Sequence, residues 1–161
     1  MASAVTRNRL AAINTAGSLL SWDPNADNSV YALARSGDNI YVGGQFTSVS
    51  ATTRNRAAAI NTAGSLLSWD PNVNSNVFAI AVSGDNVYIG GSFSSIGSVE
   101  RSRLAVVDTA GSLLSTEQPV VPNETVYTII LTNSAFYVNT TGLNSPLGTG
   151  MDIATGNIIN Q

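Results

Sequence analysis

Residues 6–22 read TRNRLAAINTAGSLLSW, and both ends of this stretch return at a spacing of 47 residues. The hexapeptide Ala-Gly-Ser-Leu-Leu-Ser occurs three times, at 16–21, 63–68 and 110–115. The Arg-x-Arg segment also occurs three times, at 7–9, 54–56 and 101–103. A fixed period of this length predicts a repeat architecture. We therefore interpret 1–161 as a single repeat domain made of the units 6–52, 53–99 and 100–161.

The three repeats are unequally similar. The first and second match at 31 of 47 aligned positions, whereas the third has drifted and carries a two-residue insertion. The third repeat has Thr116 in place of the tryptophan, and Asn139-Thr140 in place of the Gly-Gly pair. It therefore keeps the frame of the motif without its most characteristic residues.

Each repeat is predicted to contain four short strands and no helix. In the first repeat the strands are Leu10–Asn14, Ser18–Trp22, Val30–Arg35 and Asn39–Gly43. Gly17 and Gly37 stand at the two tight hairpin loops, where a left-handed conformation is needed. Asp23-Pro24-Asn25 has turn chemistry, because proline fixes φ and asparagine tolerates a positive φ. β-branched and aromatic residues fill the strands, as expected of β structure.

The two hairpins of a repeat differ in polarity. Val30–Gly44 is apolar on both faces and should be covered on both sides, while Leu10–Trp22 is more polar and should lie further out. Two hairpins per 47 residues fit a four-stranded β-propeller blade. A β-solenoid usually has shorter coils, and a β-sandwich does not require such regular repetition. The predicted fold class is all-β, with about three four-stranded propeller blades per chain.

The same residues resemble a known family. Residues 9–22, RLAAINTAGSLLSW, and 30–46, VYALARSGDNIYVGGQF, are similar to β-propeller repeats of the delta-60 type. The resemblance covers 7–115 well and 126–160 loosely. It implies that Val30–Gly44 is an inner strand pair and Leu10–Trp22 an outer pair. It also implies a bacterial protein that is secreted or attached to the cell surface, and it offers no catalytic residues.

The blade count predicts self-association. Single-chain propellers typically close with four to eight blades, so about three blades leave faces and edges exposed. Two chains would make a six-bladed ring, and C₂ is the commonest symmetry of oligomers. We expect Leu10–Trp22 of one chain to complete the blade of Val126–Val138 in its neighbour, which would make the C-terminal pair around 151–159 surplus or an edge cover. A filament, a larger ring, or a piece of a longer propeller are the alternatives.

Composition excludes several classes of chemistry. The chain contains no Cys, His or Lys, which excludes Cys nucleophiles, His bases, Schiff-base lysines and the common zinc sites. A net charge of −3 argues against nucleic-acid binding, which depends on cations that neutralise phosphates. No apolar run approaches the length of a membrane helix, and the N-terminal residues have no apolar core of signal-peptide length. We expect no cofactor, no metal and no enzyme activity.

Two residue types are candidates for ligand binding. Trp22 and Trp69 stand beside Asn-rich turns and would suit a sugar-stacking platform; the alternative is that they cover a blade interface. The pairs Arg7/Arg9 and Arg54/Arg56 would share a strand face by alternation and could clamp a carboxylate or phosphate. The alternative for the arginines is pairing with the repeated Asp23 and Asp70 or with turn carbonyls.

One further motif resembles a metal site. Residues 23–27, DPNAD, alternate oxygen ligands like the start of a calcium loop, but the glycine and glutamate that such a loop needs later are missing. An Asx-capped turn explains the motif better. We therefore expect a non-enzymatic, self-assembling scaffold outside the cell. The alternative is a lectin-like propeller that binds a carbohydrate or another small ligand between its blades, or another protein.

Overall fold

The computed structural model describes residues 5–114, 124–133 and 135–140, together with the backbone of 149–152 and 158–159. Within these ranges the chain is all-β, as predicted, and contains no helix. The strands are β1 Val30–Ser36, β2 Asn39–Gly44, β3 Ser48–Val49, β4 Thr52–Thr53, β5 Ala57–Asn61, β6 Val77–Ser83, β7 Asn86–Gly91, β8 Ser95–Ile96, β9 Val99–Glu100, β10 Leu104–Asp108, β11 Val126–Leu131, β12 Ala135–Thr140, β13 Thr149–Asp152 and β14 Ile158–Ile159.

Three principal antiparallel sheets form the body of the described structure. The first sheet is β1-β2-β5, the second is β6-β7-β10, and the third is β11-β12-β13-β14. In the first sheet β1 and β2 make the tight hairpin predicted from the sequence, with Ser36 opposite Asn39 and a turn at Gly37, whose φ is 56°. Gly84 occupies the same position in the second sheet with the same φ. The remaining strands form two small ribbons, β3-β4 and β8-β9.

The first two principal sheets each combine parts of two consecutive repeats, whereas the third lies within the third repeat. β5 belongs to the second repeat, yet it pairs with β2 of the first repeat, with Tyr41 opposite Ala59. A fourth strand position follows β5, where Leu66 bridges Ile60 and the Leu67 amide donates to the carbonyl of Ala59 at 2.8 Å. The outer hairpin of one repeat therefore completes the inner hairpin of the repeat before it.

The sheets stack face to face in chain order. β6 of the second sheet packs beside β1 of the first and beside β11 of the third. The core between the first two sheets contains Tyr41, Trp69, Val77 and Ile89. Gly43 allows the close approach, because a Cβ built there would lie 2.5 Å from Cγ1 of Val77. Burial of these apolar faces is the main source of stability in such a stack.

The outer hairpin of the first repeat is less regular than predicted. Residues 10–14 were expected to form a strand, but the structure gives this segment a single bridge, Ile13 to Leu19. Residues 11–25 are identical to 58–72, so local sequence does not explain the difference. β5 lies between β2 and the Leu66 segment, whereas residues 10–14 pair with no described strand on the side away from Leu19. The missing neighbour explains the missing strand.

The third sheet corrects one detail of the predicted assembly. The C-terminal pair was expected to be surplus or an edge cover, with the outer hairpin of a neighbouring chain completing the blade of Val126–Val138. Instead β13 of the same chain pairs with β12, with Ala135 opposite Asp152 and Val138 opposite Thr149. β14 then pairs with β13, which gives this sheet its four strands. In the described arrangement the C-terminal pair fills the position that the N-terminal outer hairpin was expected to take.

Candidate functional site

The two tryptophans lie inside the fold. Both are buried, and each indole Nε1 donates to a carbonyl 39 residues further on: Trp22 to Asn61 at 3.0 Å and Trp69 to Asp108 at 2.9 Å. Trp69 also meets Tyr41 edge to face, with ring centroids 5.1 Å apart. These placements favour the structural alternative, in which the indoles cover sheet interfaces. Neither ring offers a free face for a sugar.

The first arginine of each pair ties the outer hairpin together. Arg7 Nη2 donates to the carbonyl of Leu20 at 2.9 Å, and its Nη1 lies 3.6 Å from the carboxylate of Asp23. Arg54 repeats both contacts one repeat later, with Leu67 at 2.9 Å and Asp70 at 3.7 Å. These are the aspartates and turn carbonyls named as the alternative partners. The guanidinium groups are therefore engaged within the fold.

The second arginine of each pair points elsewhere. Arg56 Nη1 donates to the carbonyls of Gln45 and Phe46, at 2.7 and 3.0 Å, and so holds the end of the preceding inner hairpin. Arg103 makes the equivalent bonds in the next repeat. Arg9 stands at the same position of the first repeat but makes no such bond in the part of the chain described. No described inner strand pairs with the segment that follows Arg9, whereas β2 pairs with the segment that follows Arg56.

The arginine pairs do not form the predicted anion clamp. We expected both guanidinium groups of a pair on one strand face, and this is wrong. β4 ends at Thr53 and β5 begins at Ala57, so the pair lies between strands. Arg56 has a φ of 63°, in the left-handed region, and this turns its side chain away from that of Arg54. The two side chains then bind different elements.

The side-chain oxygens of the acidic turn at 23–27 accept hydrogen bonds from different residues. The carboxylate of Asp27 accepts hydrogen bonds from the Thr47 amide and hydroxyl and from the Ser48 amide. Desolvation raises the pKa of Asp27, but these hydrogen bonds outweigh it and lower the pKa to about 2. Asn74 caps the matching amides in the second repeat. Asp27 therefore caps a loop, and the uncharged Asn74 caps the equivalent loop in the second repeat.

The Asn residues of these turns also behave as turn residues. Asn25 has a φ of 50° and accepts a hydrogen bond from Asn8 at 2.7 Å. In the second repeat the Asn72 amide donates to the Asp70 carboxylate at 3.2 Å, which is an Asx turn. No group of three or more His, Cys, Asp or Glu side chains lies together among the described residues.

An aromatic column lies along the innermost strands, and the sequence analysis missed it. Tyr31, Phe78 and Tyr127 stack at 5.3 and 5.1 Å between ring centroids, one ring from each sheet. Each residue falls at a bulge of its hairpin, opposite a skipped register. Tyr31 and Tyr127 are 46% and 45% exposed. The available signal was an aromatic residue at the same position of all three repeats.

The described structure also leaves an open apolar face at its N-terminal end. Ile13 is 66% exposed, whereas Ile60 at the matching position is 0% exposed. Leu33 is 59% exposed, whereas its counterpart Ile80 is 8% exposed. Ile60 lies in β5 and packs with Leu10 and Trp22 of the first outer hairpin, and Ile80 lies in β6 and packs against the first sheet. Among the described residues nothing equivalent covers Ile13 or Leu33. We call the exposed side of the first sheet at Leu33, together with the exposed Ile13 of the outer hairpin, the open face.

Comparison with known proteins identifies no family for the chain. No protein-family model and no curated protein matches it. Among solved structures, the computationally designed Ika8 protein gives a TM-score of 0.50 at 13% identity, over 89% of this chain and 52% of that one. The designed Ika4 protein gives a TM-score of 0.48 at 14% identity, over 80% and 94%.

The likeness to the designed Ika8 protein bears on the fold alone. The chain spans about half the length of the designed Ika8 chain that it matches. Within its described residues the chain has no helix long and apolar enough to span a membrane.

Proposed function

We propose that this protein is a non-enzymatic scaffold whose chains assemble with one another. Each chain would supply about three four-stranded β-propeller blades, as its resemblance to delta-60 repeats implies, and two chains would complete a six-bladed ring. The open face carries this proposal. Its apolar residues stand at positions that the next repeat buries, so the chain itself shows what kind of surface covers them.

Energetics favour covering the open face with another sheet. Full burial of an Ile or Leu side chain is worth about 1.5–3 kcal/mol, and the open face exposes several. Association must also offset the loss of translational and rotational freedom, about 4–15 kcal/mol. A few side chains do not reach that figure, so a whole sheet-on-sheet contact must form. Such a contact already exists twice within the chain, between its consecutive sheets.

The geometry of the stack favours a closed assembly. The open face is at one end of the stack, and the third sheet is at the other, so two copies meet head to tail. Two such contacts related by a two-fold axis close a ring, whereas a different rotation per copy would give a filament. Closure also leaves fewer exposed sheet edges, which are otherwise sites of aggregation.

An extracellular or cell-surface role is part of the proposal. It rests on the resemblance to delta-60 repeats of secreted and surface-attached proteins. Expression with a secretion signal, followed by fractionation, tests whether the folded chain is stable outside the cell. Accumulation of assembled protein in the medium is expected, and rapid degradation there would contradict it.

The native mass of the protein tests self-assembly directly. Native mass spectrometry across a dilution series should give a particle of two chain masses, which dissociates on dilution. Leu33→Asp should abolish that particle, because it places a charge on the open face. Val99→Asp is the matched control: Val99 is exposed too, but on the β8-β9 ribbon. A wild-type monomer at all concentrations would overturn the proposal.

Ligand binding is the second candidate function. The aromatic column supports it better than the two buried tryptophans do. The partly exposed rings of Tyr31 and Tyr127 offer apolar surface to a sugar or another flat ligand. Tyr31 Oη also bonds Gln45 Oε1 at 2.9 Å, which places an amide beside the ring. A glycan array should show binding that Tyr31→Ser abolishes and Val99→Asp preserves. No binding to any glycan would remove this candidate.

A further inference from the structure

We propose that two segments compete for one sheet edge, namely the edge of β12. One is the C-terminal pair β13-β14 of the same chain, and the other is the N-terminal hairpin, residues 10–20, of a second copy. The first arrangement closes the third sheet within one chain, and the second joins two chains by strand exchange. This inference rests on the proposed self-assembly and specifies its strand contact.

The first step is that the N-terminal hairpin has a known mode of pairing. Residues 11–14 are Ala-Ala-Ile-Asn, identical to 58–61 in β5. β5 pairs with β2 over Ala57–Asn61, with Val42 opposite Ala58 and Ile40 opposite Ile60. The same sequence therefore forms a strand when it lies beside an inner hairpin.

The second step is that β12 is equivalent to β2. Leu33 faces Val42 across the first inner hairpin, and Ile129 faces Val138 across the third, so Val138 corresponds to Val42. In this correspondence Thr149, which faces Val138, takes the position of Ala58. The C-terminal pair therefore occupies the same register that the N-terminal hairpin of another copy would use.

The third step is that the N-terminal hairpin lacks its partners in the single chain. Ile13 is exposed, and residues 10–14 have no neighbouring inner strand. Arg9 has no counterpart to the two carbonyls that Arg56 binds at the end of β2. Placement beside β12 of a second copy would cover Ile13, would pair residues 10–14 with a strand and would give Arg9 carbonyl acceptors.

The fourth step is that the C-terminal pair is the weaker sequence for this edge. Its strand β13 reads Thr-Gly-Met-Asp, and an interior glycine weakens a strand through lost entropy and lost side-chain contact. The hairpin of a second copy has Ala-Ala-Ile-Asn at these positions. Exchange of identical elements between chains is a low-cost route to dimers, and mass action favours it as concentration rises.

The expected register defines a cross-linking experiment. Val138 should face Ala11 of the second copy and Ala135 should face Asn14, as Asn39 faces Asn61 within one chain. Directly opposed residues have Cα atoms about 4.5–5.5 Å apart, which suits a disulfide. The chain has no cysteine, so every disulfide formed is an introduced one.

Two single-cysteine chains, Asn14→Cys and Ala135→Cys, are mixed and oxidised with glutathione disulfide. The expected result is a covalent heterodimer at roughly tenfold the level given by Asn14→Cys mixed with Val99→Cys, as mass action predicts for a populated contact. In a single chain, Ala135→Cys with Asp152→Cys should form an intramolecular disulfide and suppress dimers. This double variant traps the rival arrangement.

A truncation provides a second readout. Removal of 149–161 frees the edge of β12 and should lower the dimer dissociation constant about tenfold, because the competitor is gone. An unchanged or raised dissociation constant would overturn the inference, as would a heterodimer level equal to the Val99→Cys background. A wild-type dimer with neither effect leaves self-assembly standing and removes only the strand exchange. A protein monomeric throughout removes both.

Discussion

Residues 11–25 and 58–72 are the same fifteen amino acids in two different environments. In the second copy they include β5, whose residues lie against neighbours on both sides. In the first copy the equivalent segment has one isolated bridge, and Ile13 lies open to solvent. The difference teaches that the strand is stabilised by its partner strand β2 and by Leu10 and Trp22, which pack on it, rather than by local propensity.

Matched substitutions in the two copies sharpen this comparison most strongly at Ile13 and Ile60. Ile60→Ala leaves a cavity in a fully buried cluster and should lower the free energy of unfolding by about 4 kcal/mol. Ile13→Ala removes an exposed side chain and should change the stability of the monomer by about 0.5 kcal/mol or less. Urea unfolding at a concentration that keeps the chain monomeric measures both.

The same pair also reports on assembly. At high concentration Ile13→Ala should weaken the dimer, because the exposed side chain becomes covered only there. Equal destabilisation by the two substitutions in the monomer would contradict the comparison, since it would mean that Ile13 is already buried in the single chain.

The third repeat differs from the first at a residue that sets the distance between neighbouring sheets. Gly43→Ala would place a Cβ 2.5 Å from Cγ1 of Val77, a buried group attached close to the backbone. Such overpacking should cost about 2–3 kcal/mol of stability. The third repeat carries Asn139 at the corresponding position, on an exposed surface.

Asn139→Gly is the reverse substitution and tests the contact between copies. If the third sheet packs on the open face as the first sheet packs on the second, the glycine should tighten the dimer about tenfold, or about 1.4 kcal/mol. Urea unfolding of Gly43→Ala measures the loss of stability, and sedimentation equilibrium of Asn139→Gly measures the dimer dissociation constant. A Gly43→Ala chain as stable as wild type would show that the sheets separate easily.

The all-β hairpins could be predicted largely because their signals are local and repeated. Gly37 and Asn25 mark turns by their tolerance of positive φ, and both adopt it. The inner hairpin Val30–Gly44 was placed within one residue of its bounds, since alternation and turn chemistry act over short distances. The boundaries of the first two sheets could be inferred only from the order of the hairpins, because neither of the first two repeats contains a whole sheet.

The candidate site was harder to predict because it depends on distant partners. Nothing local to Trp22 shows that its Nε1 binds a carbonyl 39 residues away. The left-handed backbone at Arg56 breaks the alternation on which the anion clamp depended, and non-glycine residues seldom reveal such a φ in advance. The aromatic column could have been found by aligning the bulge positions, but bulges themselves are not visible in the sequence.

Arg9 and Arg56 give the next test, and the expected change in stability is somewhat smaller. Arg56→Met removes a charged donor from the carbonyls of Gln45 and Phe46 and should cost about 2 kcal/mol. Arg9→Met, with the same left-handed backbone, should leave monomer stability unchanged. Thermal unfolding of the two variants measures the difference. A loss at Arg9 as large as that at Arg56 would reveal an acceptor for Arg9 within one chain.

Asp27 and Asn74 cap equivalent loops and differ only in charge, so they give the smallest effect. The pKa of Asp27 is lowered to about 2, so its contribution is present above the unfolded pKa of 3.8 and is lost as pH falls through about 2. Solvent exposure screens this contribution to about 1 kcal/mol. Asp27→Asn should therefore remove that loss from a stability profile between pH 5 and pH 2, while Asp38→Asn, in the hairpin turn, serves as the control. An identical acid profile for wild type and Asp27→Asn would show that the hydrogen bonds to Thr47 and Ser48 stabilise the loop equally well when the cap is neutral.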